Sequence, residues 1–199
     1  MQLPGRENRI QEERFTDIDA RTRTLIPNLS SYLDKPFALF GHSMGALIAY
    51  ETAQRLHRQQ GPLPSHLFVS GRRAPFLPGS EAMLHTIPSD TEFLAALQRR
   101  YENLPDIIFQ DAELRALFVP LLRADFQMTE TYQSDSPKPL PCPLVAFGGD
   151  RDRLASRSEL LAWQEITDRD FALHLLPGGH FYLNQETVPL LRLLAGFLQ

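Results

Sequence analysis

The sequence predicts an α/β protein in which helices cover both faces of a mostly parallel sheet. Four short apolar runs alternate with helical patterns, and none of these runs shows the apolar–polar alternation of a half-exposed strand. Continuously apolar strands are buried on both faces, as in parallel sheets. The 199 residues are enough for one domain with a substantial core. We therefore expect residues 1–199 to form a single domain.

Each element is bounded by recognisable start and stop signals. Apolar spacings of three, four and seven residues predict the helices, and Thr16 is the expected N-cap of the first. Glycine and proline end most of the strands and helices. The predicted elements are a helix over Asp17–Leu33, a strand over Pro36–Phe40, a helix over Met44–Gln60, strands over His66–Ser70 and Pro143–Phe147, a helix over Ser158–Thr167, a strand over Phe171–Leu176 and a helix over Val188–Leu198.

The segment of about residues 76–140 interrupts this alternation. It carries helical patterns at Asp90–Tyr101 and Ala112–Tyr132, many prolines and no clear strand. It leaves the sheet just past the carboxyl end of a strand, where the sites of α/β proteins lie. We expect a lid insertion here, and the alternative is a helical excursion that only extends the fold.

Composition excludes several classes of protein. Apolar residues make up 43% and charged residues 22% of the chain, and the net charge is -4, so no basic surface for nucleic acid is expected. The lone Cys142 excludes an internal disulfide and suits a reducing compartment. No secretory signal begins the sequence, and no apolar run approaches the ~20 residues that cross a bilayer. We expect a cytoplasmic protein without nucleic-acid or membrane partners.

The run Phe37–Ala46 contains Gly41-His42-Ser43-Met44-Gly45 between a predicted strand and a predicted helix. This is the context of a nucleophile elbow, although the same residues can form an ordinary tight turn. The serine of an elbow has a strained backbone, and we expect a Cβ at either flanking glycine to clash. The turn would raise the Ser43 hydroxyl above the sheet. It would also place the Met44 backbone N–H at a helix N-terminus, as an oxyanion donor.

A serine nucleophile needs a base, and a histidine base needs a carboxylate that fixes its tautomer. His180 lies in a glycine-rich loop after the last predicted strand and is the predicted base. For the acid, Asp152 has the expected spacing after Gly149, whereas Asp150 could instead cap backbone N–H groups. The resulting order of serine, aspartate and histidine is that of α/β-hydrolases.

The remaining nucleophiles and histidines have simpler explanations. No glycine elbow surrounds Cys142 or Ser70. Four histidines lie on predicted helices, strands or the lid and are expected to pack or face solvent: His57, His66, His85 and His174. The fifth, His42, lies next to Ser43 and is expected to pack beneath the elbow.

Several motifs in the same order resemble those of the type II thioesterases, which are stand-alone α/β-hydrolases. The motifs are Gln2-Leu3-Pro4-Gly5-Arg6-Glu7, Gly41 to Ala46, Ser70-Gly71 with Ala74-Pro75, Leu122-Arg123-Ala124-Asp125-Phe126, and Gly178-Gly179-His180-Phe181-Tyr182. The resemblance implies an α/β-hydrolase fold with a helical lid. It also implies hydrolysis of acyl groups from the phosphopantetheine thiols of acyl or peptidyl carrier proteins. The usual role is editing for nonribosomal peptide, polyketide and fatty acid synthases, by a monomer without metal or cofactor.

The sequence departs from the family pattern at its N-terminus. In the family, an Ala-Gly-Gly loop upstream of the Pro-Gly-Arg-Glu run supplies a second oxyanion donor, and this sequence starts after that point. We therefore expect an N-terminally truncated fold whose Ser43 strand lies at an unpaired edge. Two alternative functions stay open: a carboxylesterase of the same fold, and a non-catalytic form that binds carrier proteins.

Overall fold

The computed structural model describes residues 4–10, 12–79, 81–101, 107–134 and 139–199. Gln2 and Leu3 of the first motif, and residues 80, 102–106 and 135–138 of the expected lid, lie outside the described residues. The chain divides into two compact units. The first comprises Met1–Ala20 and Gly79–Tyr132, and the second comprises Arg21–Pro78 and Gln133–Gln199.

The second unit contains a four-stranded parallel sheet, which confirms the predicted sheet type. Its spatial order is β1-β2-β3-β4, the same as the order along the chain. The strands are β1 (Leu39–His42), β2 (Leu67–Ser70), β3 (Leu144–Gly149) and β4 (Phe171–Leu176). Among the described residues β1 has a strand neighbour on one side only, and Phe40 on it is 43% exposed. This edge position is the one expected for the strand before Ser43.

The α-helices agree with the predicted ones in position more closely than in length. They are α1 (Ile18–Leu29), α2 (Met44–Arg58), α3 (Asp90–Arg100), α4 (Ile107–Gln110), α5 (Ala112–Glu130), α6 (Arg157–Leu161) and α7 (Thr187–Phe197). Short 3-10 helices lie at Glu7–Arg9, Ser30–Tyr32, Leu84–Thr86, Ala162–Ile166 and Tyr182–Asn184. None of the described helices is long and apolar enough to cross a membrane.

Several predictions about element ends are wrong. The helix predicted over Asp17–Leu33 is an α-helix over Ile18–Leu29 followed by a 3-10 helix over Ser30–Tyr32. Thr16 is not the N-cap of α1, because the helix begins at Ile18 and the Asp17 carboxylate accepts from the Ala20 N–H at 2.6 Å. The strand predicted at Pro36–Phe40 runs instead over Leu39–His42, where its residues pair in register with Leu67–Ser70 of β2. The helix predicted over Ser158–Thr167 is an α-helix over Arg157–Leu161, with a capping box at its start, followed by a 3-10 helix.

Helices pack on both faces of the sheet. β2 and β3 are buried at every position, as their apolar sequences predict. On one face, Phe68 and Phe147 form a core with Leu190 of α7. On the other, Gly148 faces α6, where an added Cβ would lie 2.4 Å from Leu160 Cδ1. The carboxyl ends of all four parallel strands therefore meet at one edge, where the loops that follow them can carry a site.

The first unit is helical in its described part and has a core of its own. That core is formed by Leu84, Phe93, Leu94, Leu97 and Val119. The Glu130 carboxylate accepts from the backbone N–H groups of Leu84 and His85 at 2.8 and 3.1 Å, and it also bonds Arg100 at 3.1 Å. No strand is assigned in the described residues of this unit. This helical unit corresponds to most of the segment expected to be a lid.

Candidate active site

The turn between β1 and α2 has the geometry of an elbow. Ser43 has φ 52 and ψ -113, a strained backbone for a residue with a Cβ. Its N–H donates to the Ser70 carbonyl at 2.7 Å, which joins the turn to the end of β2. A Cβ on Gly41 would lie 2.0 Å from the Gly45 carbonyl oxygen, so only glycine fits there. The expected clash at Gly45 is wrong, because a Cβ there would meet no atom within 4 Å.

The structure brings Ser43, His180 and Asp152 into one hydrogen-bonded line. His180 Nε2 lies 3.0 Å from Ser43 Oγ, and His180 Nδ1 lies 2.9 Å from Asp152 Oδ2. The side chains of His180 and Asp152 are 8% and 0% exposed, so the contact between them is shielded from water. When the Nδ1–H group donates a hydrogen bond to the Asp152 carboxylate, Nε2 carries no proton and can accept the one from Ser43. The arrangement can therefore activate the Ser43 hydroxyl as a nucleophile.

The two candidate acids have different contacts. Asp152 uses one carboxylate oxygen for His180 and the other to accept from the Leu154 N–H at 2.8 Å. Asp150 Oδ1 accepts from the Gly178 N–H at 2.8 Å. This second contact fixes the loop that carries His180, which is the capping role considered for Asp150. Of the two carboxylates, Asp152 is the one that contacts the histidine.

Met44, the proposed oxyanion donor, is the first residue of α2. A residue in this position has no intrahelical acceptor for its N–H, and the helix dipole adds positive character. In the described part of the chain no acceptor is recorded for the Met44 N–H. The group is therefore available to an oxygen that develops negative charge beside Ser43.

Most of the other histidines pack or face solvent. His66 stacks on Phe68 with ring centroids 5.5 Å apart, and His174 stacks on Phe147 at 5.6 Å. His85 Nδ1 lies 2.7 Å from a Glu130 oxygen. His57 is exposed on α2. Each of these side chains has a structural explanation.

His42 differs from them, because its ring centroid lies 4.9 Å from that of His180. Its Nδ1 lies 2.8 Å from Ser70 Oγ, which in turn lies 2.7 Å from the Tyr182 hydroxyl. Burial, and next the positive charge of His180, lower the pKa of His42 to about 4, although Asp152 opposes the shift. The expectation of packing beneath the elbow was thus incomplete: His42 also belongs to a polar chain beside His180.

Sequence reasoning missed Ser70 and Tyr182 as members of this chain. Both residues stand in family motifs, and Ser70 is otherwise only excluded as a nucleophile. A partial signal was present, because Ser70 ends one predicted strand and His42 follows the end of another by two residues. In the structure they are register partners at the ends of β1 and β2. Burial raises the pKa of Tyr182 to about 12, although its bond to Ser70 acts in the other direction.

Cysteine and metal chemistry find no support in the described residues. Burial raises the pKa of the Cys142 thiol to about 11, so the reactive thiolate is scarce at neutral pH. Within the described ranges, no group of three or more His, Cys, Asp or Glu side chains could hold a metal ion.

The fold and the site together define an α/β-hydrolase: a serine elbow follows one parallel strand, and its partners follow later strands. The family model described as "Thioesterase domain" matches residues 1–197. The chain belongs to the type II thioesterase family and is therefore a hydrolase that acts on thioesters.

The chain is similar to individual proteins and to solved structures. The chain is 41% identical over 202 residues to a Brevibacillus parabrevis protein named linear gramicidin dehydrogenase LgrE, covering 100% of this chain and 76% of that one. It is similar to the solved thioesterase RedJ from the prodiginine pathway of Streptomyces coelicolor, with 39% identity, a TM-score of 0.89, and coverage of 99% and 78%. It is also similar to YbtT, a type II thioesterase from the yersiniabactin NRPS/PKS pathway, with 33% identity, a TM-score of 0.89, and coverage of 99% and 80%. The expected α/β-hydrolase fold is thereby confirmed.

Proposed function

We propose that this chain hydrolyses acyl groups from the phosphopantetheine thiols of carrier proteins, as an editing enzyme of a nonribosomal peptide, polyketide or fatty acid synthase. The observation that carries the chemistry is the line Ser43 Oγ–His180 Nε2 at 3.0 Å and His180 Nδ1–Asp152 Oδ2 at 2.9 Å. Family membership supports a thioester as the bond that is cleaved. The similarity to YbtT, which comes from an NRPS/PKS pathway, supports a carrier protein as the bearer of that thioester.

In the first half of the reaction, Ser43 Oγ attacks the thioester carbonyl carbon while His180 Nε2 takes its proton. The Asp152 carboxylate stabilises the imidazolium that forms. The carbonyl oxygen becomes negative and accepts from the Met44 N–H. When the tetrahedral intermediate collapses, the C–S bond breaks and the sulfur leaves with the proton from His180. The products are an acyl-serine and the free pantetheine thiol.

In the second half, a water molecule takes the place that the departed thiol has left beside the acyl-serine and attacks its acyl carbon. His180 takes a proton from the water as its oxygen bonds to the carbon, and it then returns that proton to Ser43 Oγ as the ester bond breaks. The acyl group leaves as a carboxylic acid and Ser43 is regenerated. None of these steps requires a metal or cofactor.

The helical segment of about residues 76–140 is the proposed lid of this enzyme. Its place in the chain between β2 and β3, and the separate helical core of its described part, support this role. We also propose that the protein is a monomer, as the resemblance to the family implies, and that it acts in the cytoplasm, because its one cysteine suits a reducing compartment. If the segment is a lid, hydrogen exchange within it should slow when an acylated carrier protein binds.

The decisive experiment compares substrates. Acyl-pantetheinyl carrier protein and a p-nitrophenyl ester with the same acyl group are tested on the wild-type chain, on Ser43→Ala and on the control Ser65→Ala. Ser65 is an exposed serine of the same unit. We expect the carrier thioester to be the better substrate. Turnover should fall at least about 10³-fold in Ser43→Ala and should persist in Ser65→Ala.

Labelling with a fluorophosphonate, located by mass spectrometry, tests the nucleophile itself. We expect one adduct, on Ser43. Much faster turnover of the free ester would favour a carboxylesterase. Retained binding of carrier protein without any adduct or turnover would favour the non-catalytic form.

A further inference from the structure

The chain His42–Ser70–Tyr182 connects the two segments that carry the reacting groups. His42 directly precedes Ser43 at the end of β1, and Tyr182 lies two residues after His180. Ser70, at the end of β2, joins them through bonds of 2.8 Å to His42 Nδ1 and 2.7 Å to the Tyr182 hydroxyl. The connection therefore runs across the sheet edge, from the flank of the nucleophile to the flank of the base.

Ser70 also holds the elbow through its main chain. Its carbonyl accepts from the Ser43 N–H at 2.7 Å, while its hydroxyl serves the other two side chains. Ser70 is fully buried and Tyr182 is 1% exposed, so water does not compete for these bonds. A buried hydrogen-bonded chain of this kind restricts the relative movement of the segments that it joins.

Two directions of proton donation fit these contacts. In one, Tyr182 donates to Ser70 Oγ and Ser70 donates to His42 Nδ1, which leaves the imidazole proton of His42 on Nε2, a buried atom without a hydrogen-bond partner in the described part of the protein. In the other, His42 Nδ1 donates to Ser70 Oγ and Ser70 donates to the Tyr182 hydroxyl. The hydrogen-bonded chain is neutral in either direction. A neutral His42 places no second cation beside His180 when His180 takes the serine proton.

The residue after Ser70 lets the two imidazole rings come together. Gly71 has φ 58, and a Cβ on it would lie 2.6 Å from His42 Cε1 and 3.4 Å from His180 Cε1. The space that a side chain would take is thus occupied by His42, whose ring lies against the catalytic histidine.

We propose that the hydrogen-bonded chain His42–Ser70–Tyr182 positions the catalytic base. It ties the segment after His180 to the segment before Ser43, and so holds His180 Nε2 at bonding distance from Ser43 Oγ. All three act as positioning residues through His180. The inference rests on the proposed function, because the hydrogen-bonded chain can position a catalytic base only if His180 and Ser43 carry out the reaction. Small displacements of reacting groups cost much of the rate, whereas they leave ground-state binding of substrate unchanged.

The test removes single hydroxyl groups. Tyr182→Phe, Ser70→Ala and the double variant are compared with the wild-type chain and with Tyr50→Phe. Tyr50 is a matched control: it is buried in the same unit, and its hydroxyl lies 3.5 Å from Ser134 Oγ. The measurements are kcat and KM on an acyl-pantetheine thioester, the rate constant for fluorophosphonate labelling of Ser43, and the melting temperature. Each kcat is calculated per mole of protein that the fluorophosphonate can label at Ser43, so that unfolded protein does not lower the value.

We expect Tyr182→Phe and Ser70→Ala each to lower kcat and the labelling rate about tenfold, with KM within about twofold of the wild-type value. The double variant should be no slower than Ser70→Ala, because loss of the Ser70 hydroxyl already interrupts the hydrogen-bonded chain. His42→Asn, whose amide can replace Nδ1, should keep more activity than His42→Leu. Tyr50→Phe should keep the wild-type rates.

Unchanged kcat per labelled site in Tyr182→Phe and in His42→Leu would overturn the positioning role, even if both variants melt earlier. An equal loss in Tyr50→Phe would overturn it as well. If Ser70→Ala does not fold, Tyr182→Phe and the two His42 variants decide the question. Failure of the wild-type chain to label at Ser43 would instead refute the proposed function, and with it this inference.

Discussion

The backbone of Ser43 has φ 52 and ψ -113, which a residue with a Cβ adopts only at a cost in free energy. Glycine can adopt such angles freely, although it loses more entropy on folding. We predict that Ser43→Gly is more stable than Ser43→Ala by about 1 kcal/mol. Both variants lack the nucleophile, so catalysis does not affect the comparison. Urea unfolding of the two variants measures the difference, and equal stabilities would show that the turn is unstrained.

The His42 ring makes stability depend on pH. Burial, and then the charge of His180, lower its pKa in the folded chain to about 4, below the usual value of 6.5. Between these two values the unfolded chain binds more protons than the folded chain, so stability falls as the pH falls through this window. At pH 4.5 the loss from this one group is about 2 kcal/mol relative to pH 7.

His42→Asn removes this titration and provides the comparison. We expect the variant to lose less stability than the wild-type chain between pH 7 and pH 4.5, as measured by urea unfolding. Because the carboxylates titrate in both proteins, their contribution cancels in the difference. Parallel losses in the two proteins would mean that His42 titrates normally in the folded state.

Cys142 should be inert in the native protein. It is 2% exposed, and burial raises its pKa to about 11. We predict that a maleimide at pH 7.5 leaves hydrolysis intact and modifies the thiol only after unfolding. Mass spectrometry of native and urea-treated samples checks both parts. Rapid modification of Cys142 in the native protein would contradict this prediction.

At the scale of single elements, the elbow depends on the two glycines to different degrees. A Cβ on Gly41 would lie 2.0 Å from the backbone oxygen of Gly45, whereas a Cβ on Gly45 would meet nothing within 4 Å. We predict that Gly41→Ala lowers the free energy of unfolding by about 3 kcal/mol or more. Gly45→Ala should change it by less than about 1 kcal/mol, because alanine favours the helix that contains it. Thermal and urea unfolding of this pair provide the measurement.

The elements also show what could be predicted from local sequence. The strand predicted at Phe171–Leu176 has the observed bounds, because the Pro177-Gly178 pair ends it sharply. Predictions failed where competing contacts decide the boundary. The apolar spacing over Ser158–Thr167 fits one helix, but the chain changes to a 3-10 helix at Ala162. Nothing in the apolar pattern distinguishes these two helix types.

For the molecule as a whole, the order of serine, aspartate and histidine predicts that the loops carrying Ser43, the two candidate aspartates and His180 lie together, and the structure brings them together. Topology explains this success, since the loops after parallel strands all lie at one sheet edge. The spacing after Gly149 favours Asp152, but both aspartates lie in one short loop, and only the coordinates show that Asp152 contacts His180 whereas Asp150 contacts Gly178. The chain through Ser70 and Tyr182 was missed for a related reason. Its bonds join three separate elements, and each of its residues has a simpler local explanation.

The division into two units predicts that each can be perturbed separately. Inside the first unit, hydrogen bonds of the Glu130 carboxylate join the 3-10 helix Leu84–Thr86 to Arg100. We predict that Glu130→Gln accelerates hydrogen exchange over residues 84–100 and 112–130 at least about tenfold. Exchange in β2 and β3, and the rate of phosphonate labelling at Ser43, should stay unchanged. Glu92→Gln, an exposed substitution on α3, is the control. Faster exchange in β2 and β3 would show that the units unfold together.

The two roles of Ser70 bear on attempts to transplant this chemistry to another scaffold. A designer who copies the elbow and the two loops that carry the acid and the base would leave behind the end of β2, which supplies no reacting atom. That strand end nevertheless touches the turn through its carbonyl and both flanking rings through its hydroxyl. The smallest portable unit is therefore four strand ends, not three.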